Sequence, residues 1–299
     1  MKILITGSYG QLGNELRVAS ARHSRHTYLL TDADTLDICN PTDLEAYFCQ
    51  HQPDVIVNCA AYTAVDKAED DQEKCLLINA EAVKNIGTIA KKHNTRVIHI
   101  STDYVFDGTS HIPYTEDMPV CPTNVYGRTK LQGEQELMQV APNSLIIRTS
   151  WLYSSFGNNF VKTMIRLGSE RDTLNVIFDQ IGTPTYAADL AEAILTIIDQ
   201  EEWTSGIYHF SNEGVCSWYD FCKVILELSG NTTCKVTPIE SSAYPVRTPR
   251  PHYSVLNKVK IKNTFNIEIP YWINALERCI NILKQNRQTH TSYILIIHL

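Results

Sequence analysis

Lys2-Ile3-Leu4-Ile5-Thr6-Gly7-Ser8-Tyr9-Gly10-Gln11-Leu12-Gly13 follows the initiating methionine and decides the architecture. The apolar run at 2–6 predicts a strand buried on both faces, and the periodic pattern over 11–21 predicts a helix. The glycines between them allow a tight turn and close backbone approach, and the first-turn amides of the helix are free to bind an anion. A strand, glycine turn and helix in that order form the pyrophosphate cradle of dinucleotide-binding sheets. The spacing here is Gly-x-x-Gly-x-x-Gly rather than Gly-x-Gly-x-x-Gly. Gly7, Gly10, Gln11, Leu12 and Gly13 are therefore candidate cofactor-binding residues.

The same alternation continues outward. Strands are predicted at 27–31, 55–59, 96–101 and 144–149, with helices at 41–50, 73–93 and 127–139 between them. Continuous Val/Ile/Leu runs separated by helices predict a doubly wound, Rossmann-type α/β fold with a parallel sheet of about seven strands. The second half is less regular, with helices at 158–167, 187–199, 218–229 and 272–283, strands at 174–178 and 206–210, and a Pro-rich loop at 238–251. These pieces predict a smaller, discontinuous α/β substrate lobe. The boundaries expected are 1–150 plus 180–214 for the dinucleotide-binding domain and 151–179 plus 215–285 for the substrate lobe. Residues 286–299 are expected to form a disordered tail.

Composition narrows the function. Of the 299 residues, 43% are hydrophobic, enough for a sizeable core, and the net charge of -7 offers no basic field for nucleic acid. No signal-peptide pattern and no apolar run of spanning length is visible, so a cytoplasmic protein that does not use a membrane is expected. Nine cysteines without a Cys-x-x-Cys pair are expected to be reduced thiols. No ligand spacing predicts a metal site.

Two clusters carry chemistry. Asp32 lies where an acid meets the adenosine ribose 2′-OH, with Asp34 and Asp37 as neighbouring competitors, and a carboxylate there would repel a 2′-phosphate and favour NADH over NADPH. The small residues of Asn58-Cys59-Ala60-Ala61-Tyr62 let a flat cofactor approach the third strand's carboxyl end. Tyr126 and Lys130 stand four apart on one predicted helical face, so an ammonium would sit beside a phenol and lower its pKa toward neutrality. Upstream, Thr102 ends the fourth strand, where its hydroxyl can bond a substrate carbonyl.

The ordered set resembles the extended short-chain dehydrogenase/reductases. More narrowly, Gly10-to-Gly13, Asn58-to-Asp66, Ser101-to-Gly108, Asn124-to-Gly127, Arg148-to-Trp151, Gly157-to-Phe160, Asp179-to-Thr185 and Arg250-Pro251 resemble the dTDP-4-dehydrorhamnose reductase family, over residues 1–284. The resemblance implies NADH- or NADPH-dependent reduction of the C4 ketone of dTDP-4-dehydro-L-rhamnose. It implies Tyr126 as proton donor, Lys130 at the nicotinamide ribose and Thr102 on the ketone. It further implies Asp103 and Trp151 against the sugar, and Gly10, Gln11, Leu12, Asp37, Ile38, Ala60, Ala61 and Tyr62 around the cofactor. Arg247 or Arg250 could meet the nucleotide diphosphate. The expected partner is the dTDP-sugar, in a monomer or homodimer. Other nucleotide-sugar reductases and epimerases share these motifs, as do non-catalytic regulatory subunits of the same fold.

Overall fold

The computed structural model describes residues 1–244 and 247–297, with side chains as far as Asn286. The first half runs β1 (Lys2–Thr6), α1 (Gln11–Ser20), β2 (Thr27–Leu30), α2 (Pro41–His51), β3 (Val55–Asn58), α3 (Val65–Ala68), α4 (Gln72–Leu76), α5 (Ala82–Lys92), β4 (Arg96–Thr102), α6 (Val125–Val140) and β5 (Leu145–Thr149). The second half runs β6 (Leu152–Tyr153), α7 (Phe160–Glu170), β7 (Thr173–Ile177), β8 (Ile181–Gly182), β9 (Thr185–Tyr186), α8 (Ala187–Ile198), β10 (Gly206–Phe210), β11 (Cys216–Ser217), α9 (Trp218–Ser229), β12 (Lys235–Ile239), α10 (Val259–Phe265) and α11 (Trp272–Ile297).

The central sheet is parallel, in the order β2-β1-β3-β4-β5-β10. Its core strands carry Ile3, Leu4, Ile5, Val55, Ile56, Val57, Leu145, Ile146 and Ile147, all fully buried, because helices cover both faces. The strand order reverses between β1 and β3, which opens a crevice at their carboxyl ends. Among the described residues the sheet has six strands, one fewer than the sequence suggests. Residues after β2 add no strand at that edge, since Asp32, Thr35 and Asp37 tie them into turns through Thr35 Oγ1 and the Asp37 carboxylate.

The helix expected over 73–93 is interrupted by a π-turn at Leu77–Glu81. Asn79 sits in that turn. Its Oδ1 accepts the Tyr62 N–H at 2.8 Å and its Nδ2 donates to the Tyr62 carbonyl at 3.1 Å, so the irregular turn fixes a loop at the crevice.

Tyr153, Val161, Ile165, Tyr186, Phe221, Ile225, Trp272 and Leu276 form the core of a smaller lobe, around α7, α9, α11 and the parallel β7–β12 pair. Short pairings, β6 with β9 and β8 with β11, stitch this lobe to the sheet. The chain returns to the sheet through α8, which packs with α1, and through β10. Strand β12 and helix α10 went unread in the sequence; α10 packs on β10 rather than in the smaller lobe. The backbone of α11 continues past 283 to Ile297, through most of the stretch expected to be a disordered tail. Among the described residues, no helix is long and apolar enough to cross a membrane. All nine cysteines are free thiols.

Candidate active site

A cleft of about 620 Å³ lies between the sheet's carboxyl edge and the smaller lobe. Its floor is the loop between β1 and α1. Gly7 has φ +65°, and a Cβ there would stand 2.7 Å from the Ala60 nitrogen; one on Gly13 would stand 2.3 Å from the Gly7 carbonyl oxygen. Only glycine permits this loop to lie so close to β3 and α1. Helix α1 has no side-chain cap at Gly10, so its first-turn amides face the cleft unpartnered by side chains. Such a helix start binds phosphate through its N–H groups and dipole. Gln11 closes this end, accepting from Asn159 Nδ2 of the smaller lobe at 2.9 Å.

The opposite wall carries the reactive side chains. The Asn124 side chain caps α6 by accepting the Gly127 N–H at 2.8 Å, which sets Tyr126 and Lys130 on the face toward β4. The Tyr126 hydroxyl stands beside the Thr102 side chain, and its ring meets Tyr104 edge-on with centroids 5.5 Å apart. Burial raises the phenol pKa above its usual value, ahead of every neighbouring charge. The lowering expected from Lys130 is thus overridden, and Tyr126 stands as a protonated donor. Lys130 is buried and donates to the Ile100 carbonyl at 2.6 Å. Burial brings its pKa down to about 8. Thr102 Oγ1 donates to Asp103 Oδ1 at 3.0 Å, and burial lifts Asp103 to about 6. Asp103 Oδ2 is buried without a hydrogen-bond partner.

The roof comes from the smaller lobe. Trp151 adopts a left-handed φ of +48° and stacks on Trp218 at 3.6 Å between centroids. This pair separates the reactive wall from an adjoining hollow of about 580 Å³ lined by Phe160, Met164, Tyr244, Arg247 and Arg250. Arg250 donates to Asp66 at 2.8 Å and to the Tyr104 hydroxyl at 3.1 Å, while Arg247 pairs with Asp70. A larger hollow, about 690 Å³, lies at the amino ends of the strands around Lys2, Asp54 and Arg96, away from all of these groups.

Comparison with known proteins shows the family. Residues 1–285 match the family model described as RmlD substrate binding domain. A dTDP-4-dehydrorhamnose reductase from Aggregatibacter actinomycetemcomitans is 39% identical over 285 residues, covering 92% of this chain and 97% of that protein. The chain belongs to the dTDP-4-dehydrorhamnose reductase family. Among solved members, a Clostridium acetobutylicum reductase has a TM-score of 0.91 at 42% identity, covering 95% of this chain and all of that one. A Bacillus anthracis reductase in complex with NADP has a TM-score of 0.89 at 37% identity, covering 93% and 98%.

In this family member the structure gathers most of the residues singled out in the sequence. Gly7, Gly10, Gln11, Leu12, Gly13, Ala61, Thr102, Asp103, Tyr126, Lys130, Trp151 and Arg250 all line the cleft. Ala60 sits just behind, its N–H donated to Asn58 Oδ1, and Tyr62 packs against the cluster of Ala68, Cys75 and Val125, as Tyr126 does. Asp32, Asp37 and Ile38 are not among the residues that line this cleft. The Asp32 oxygens accept the Tyr9 and Ala33 amides, each at 2.8 Å, so this carboxylate braces the phosphate loop. Asp37 lies in a separate surface hollow with its carboxylate on the Cys39 amide, and Ile38 is buried in the core. The sequence reading assigned no role to Asn124, Asn159, Trp218 or Glu134, because each role depends on packing; Asn124 and Asn159 did lie in segments that carry the family resemblance.

Proposed function

We propose that this chain reduces the C4 ketone of dTDP-4-dehydro-L-rhamnose to dTDP-L-rhamnose at this cleft, using NADPH or NADH. The observation that carries the reading is the meeting of Thr102, Tyr126 and Lys130 above an uncapped helix start, in a member of the dTDP-4-dehydrorhamnose reductase family. The glycine cradle, closed to any Cβ, fits a pyrophosphate, and the B. anthracis relative was solved with NADP. When bound, the reduced nicotinamide supplies the hydride.

The protein's own groups do the rest. Tyr126 gives its phenolic proton to the sugar oxygen as charge develops there, and the Thr102 hydroxyl, turning its single proton from Asp103, donates a second hydrogen bond to that oxygen. Lys130 holds the nicotinamide ribose beside Tyr126. Trp151 and Trp218 form a flat apolar wall for the sugar and keep water from it. Arg250 and Arg247, at the mouth of the adjoining hollow, suit the diphosphate, whose oxygens accept a guanidinium's paired N–H groups. The hollow itself would take the nucleoside.

The test is absorbance loss at the nicotinamide band with each reduced cofactor and the keto-sugar nucleotide. Tyr126→Phe is expected to lower kcat by about 10²- to 10⁴-fold with cofactor binding intact. A folded, cofactor-binding wild type that consumes nothing would sink the assigned substrate.

A further inference from the structure

A buried polar row crosses the central sheet directly beneath the lysine. Thr6 on β1, Asn58 on β3 and His99 on β4 are register partners on adjacent strands, and all are at most 1% exposed. Thr6 Oγ1 donates to Asn58 Oδ1 at 2.7 Å, the Asn58 amide nitrogen lies 3.1 Å from His99 Nδ1, and His99 Nε2 lies 3.3 Å from Lys130 Nζ. Polar side chains in a sheet otherwise built of Val, Ile and Leu call for a reason, since burying them is costly unless every group is bonded.

The direction of each bond follows from one backbone atom. The Ala60 N–H can only donate, and it donates to Asn58 Oδ1 at 3.2 Å. That oxygen therefore faces Ala60 and Thr6, and the Asn58 NH₂ faces His99 Nδ1 as donor. His99 Nδ1 must then be the acceptor. A neutral imidazole carries its single proton on the other nitrogen, and full burial strongly disfavours the imidazolium. So Nε2–H points at Lys130 Nζ.

We propose that His99 is a positioning residue for Lys130: fixed by Thr6 and Asn58 as the Nε2–H tautomer, it donates to Nζ and favours the neutral amine over the ammonium. A neutral amine fits every contact. It donates one hydrogen to the Ile100 carbonyl, accepts from His99 and keeps a second hydrogen for the cleft. An ammonium has no lone pair and would set N–H against N–H. The other groups around Lys130 are Tyr126 and Glu134 one helical turn to either side on α6, Cys75 on α4 and Cys59 after β3. Glu134 and the thiols act in the opposite sense to His99, by favouring the cation. The row thus acts in the same direction as burial, which already lowers the lysine's pKa toward the range where the proton donor beside it has to work.

The inference rests on Lys130 serving the reductase reaction, but its first test does not. Nitrogen NMR of ¹⁵N-histidine-labelled wild-type protein, with His99 assigned by its loss in His99→Gln, distinguishes the tautomers. A neutral Nε2–H ring across the neutral range is expected; an Nδ1–H ring or an imidazolium would overturn the proposal whatever the enzyme's substrate. The second test is the pH profile of kcat/KM for the reduced cofactor. In His99→Gln the side-chain carbonyl can face Nζ, and in His99→Asn the contact to Nζ is lost. In both, the alkaline limb is expected to move upward by about one pH unit. A limb that stays in place in a variant with normal cofactor binding would overturn the proposal too. A variant that fails to fold leaves the wild-type spectrum to decide.

Discussion

Asp103 shows how the site trades stability for chemistry. The carboxyl is 2% exposed and has one oxygen without a partner, and burial raises its pKa to about 6. The folded protein therefore holds this proton more tightly than the unfolded chain. Its contribution is most favourable below about pH 4 and is lost as the pH rises to about 6. Asp103→Asn is expected to stabilise the cofactor-free protein at neutral pH by about 3 kcal/mol, a gain that vanishes toward pH 4. Denaturant midpoints across that range check it; an equal gain at every pH would contradict this account. Gly182 makes a second case. A Cβ there would stand 2.6 Å from the Trp151 ring, so Gly182→Ala is expected to push that ring off Trp218. KM for the sugar nucleotide should rise about tenfold, from a loss near that of one aromatic contact, while KM for the cofactor stays put. Thr102, Tyr126 and Lys130 were legible because their order along the chain is itself a pattern. His99 and Asn58 were not, since a lone polar residue in an apolar run means nothing until its cross-strand partner is known.

Helix α6 carries the reactive pair, and three devices hold it. Asn124 caps its start and also donates to the Pro249 carbonyl at 3.1 Å, joining the helix to the other lobe. Gly127 lets it press against the Tyr104 carbonyl, where a Cβ would come within 2.3 Å. Glu134 pairs bidentately with Arg148 of β5 and accepts from Ser101 of β4 at 2.5 Å, with both charged side chains at most 3% exposed. Removing one partner of such a pair leaves a bare buried charge. Arg148→Met is expected to cost about 3–5 kcal/mol, and adding Glu134→Leu to recover much of it. Chemical denaturation of the single and double variants measures this; equal losses would refute it. Asn124→Ala is expected to cost about 1 kcal/mol and to lower kcat more than KM, because the cap aims Tyr126. Helix and strand types were readable from periodicity. The π-turn at Leu77–Glu81 was not, because the Asn79 side chain inside it bonds Tyr62, 17 positions away, and Thr129, 50 positions away.

Across the whole molecule, the cleft is spanned by two pairs from the loop before β8's partner Tyr253 to the region of α3: Arg250 with Asp66 and Arg247 with Asp70. Both are substantially exposed, so they add little to stability. Arg250→Ala is expected to raise KM for the sugar nucleotide at least tenfold, more steeply at low salt, with little change in melting temperature. An unchanged KM would remove Arg250 from the substrate site. The alternation of apolar strands with helices determined a parallel sheet by itself, because strands buried on both faces read as nearly continuous apolar runs and parallel neighbours need long crossovers, usually helices. The glycine spacing and the Tyr-x-x-x-Lys pair likewise determined the cradle and the reactive face, because each depends on residues within a few positions of one another. Only the tertiary structure decided that Asp32 braces the loop, that burial outweighs a neighbouring charge at Tyr126, and that the sheet stops at six strands. Hydrogen-bond partners and desolvation are set by groups far away in sequence, and no local pattern encodes them.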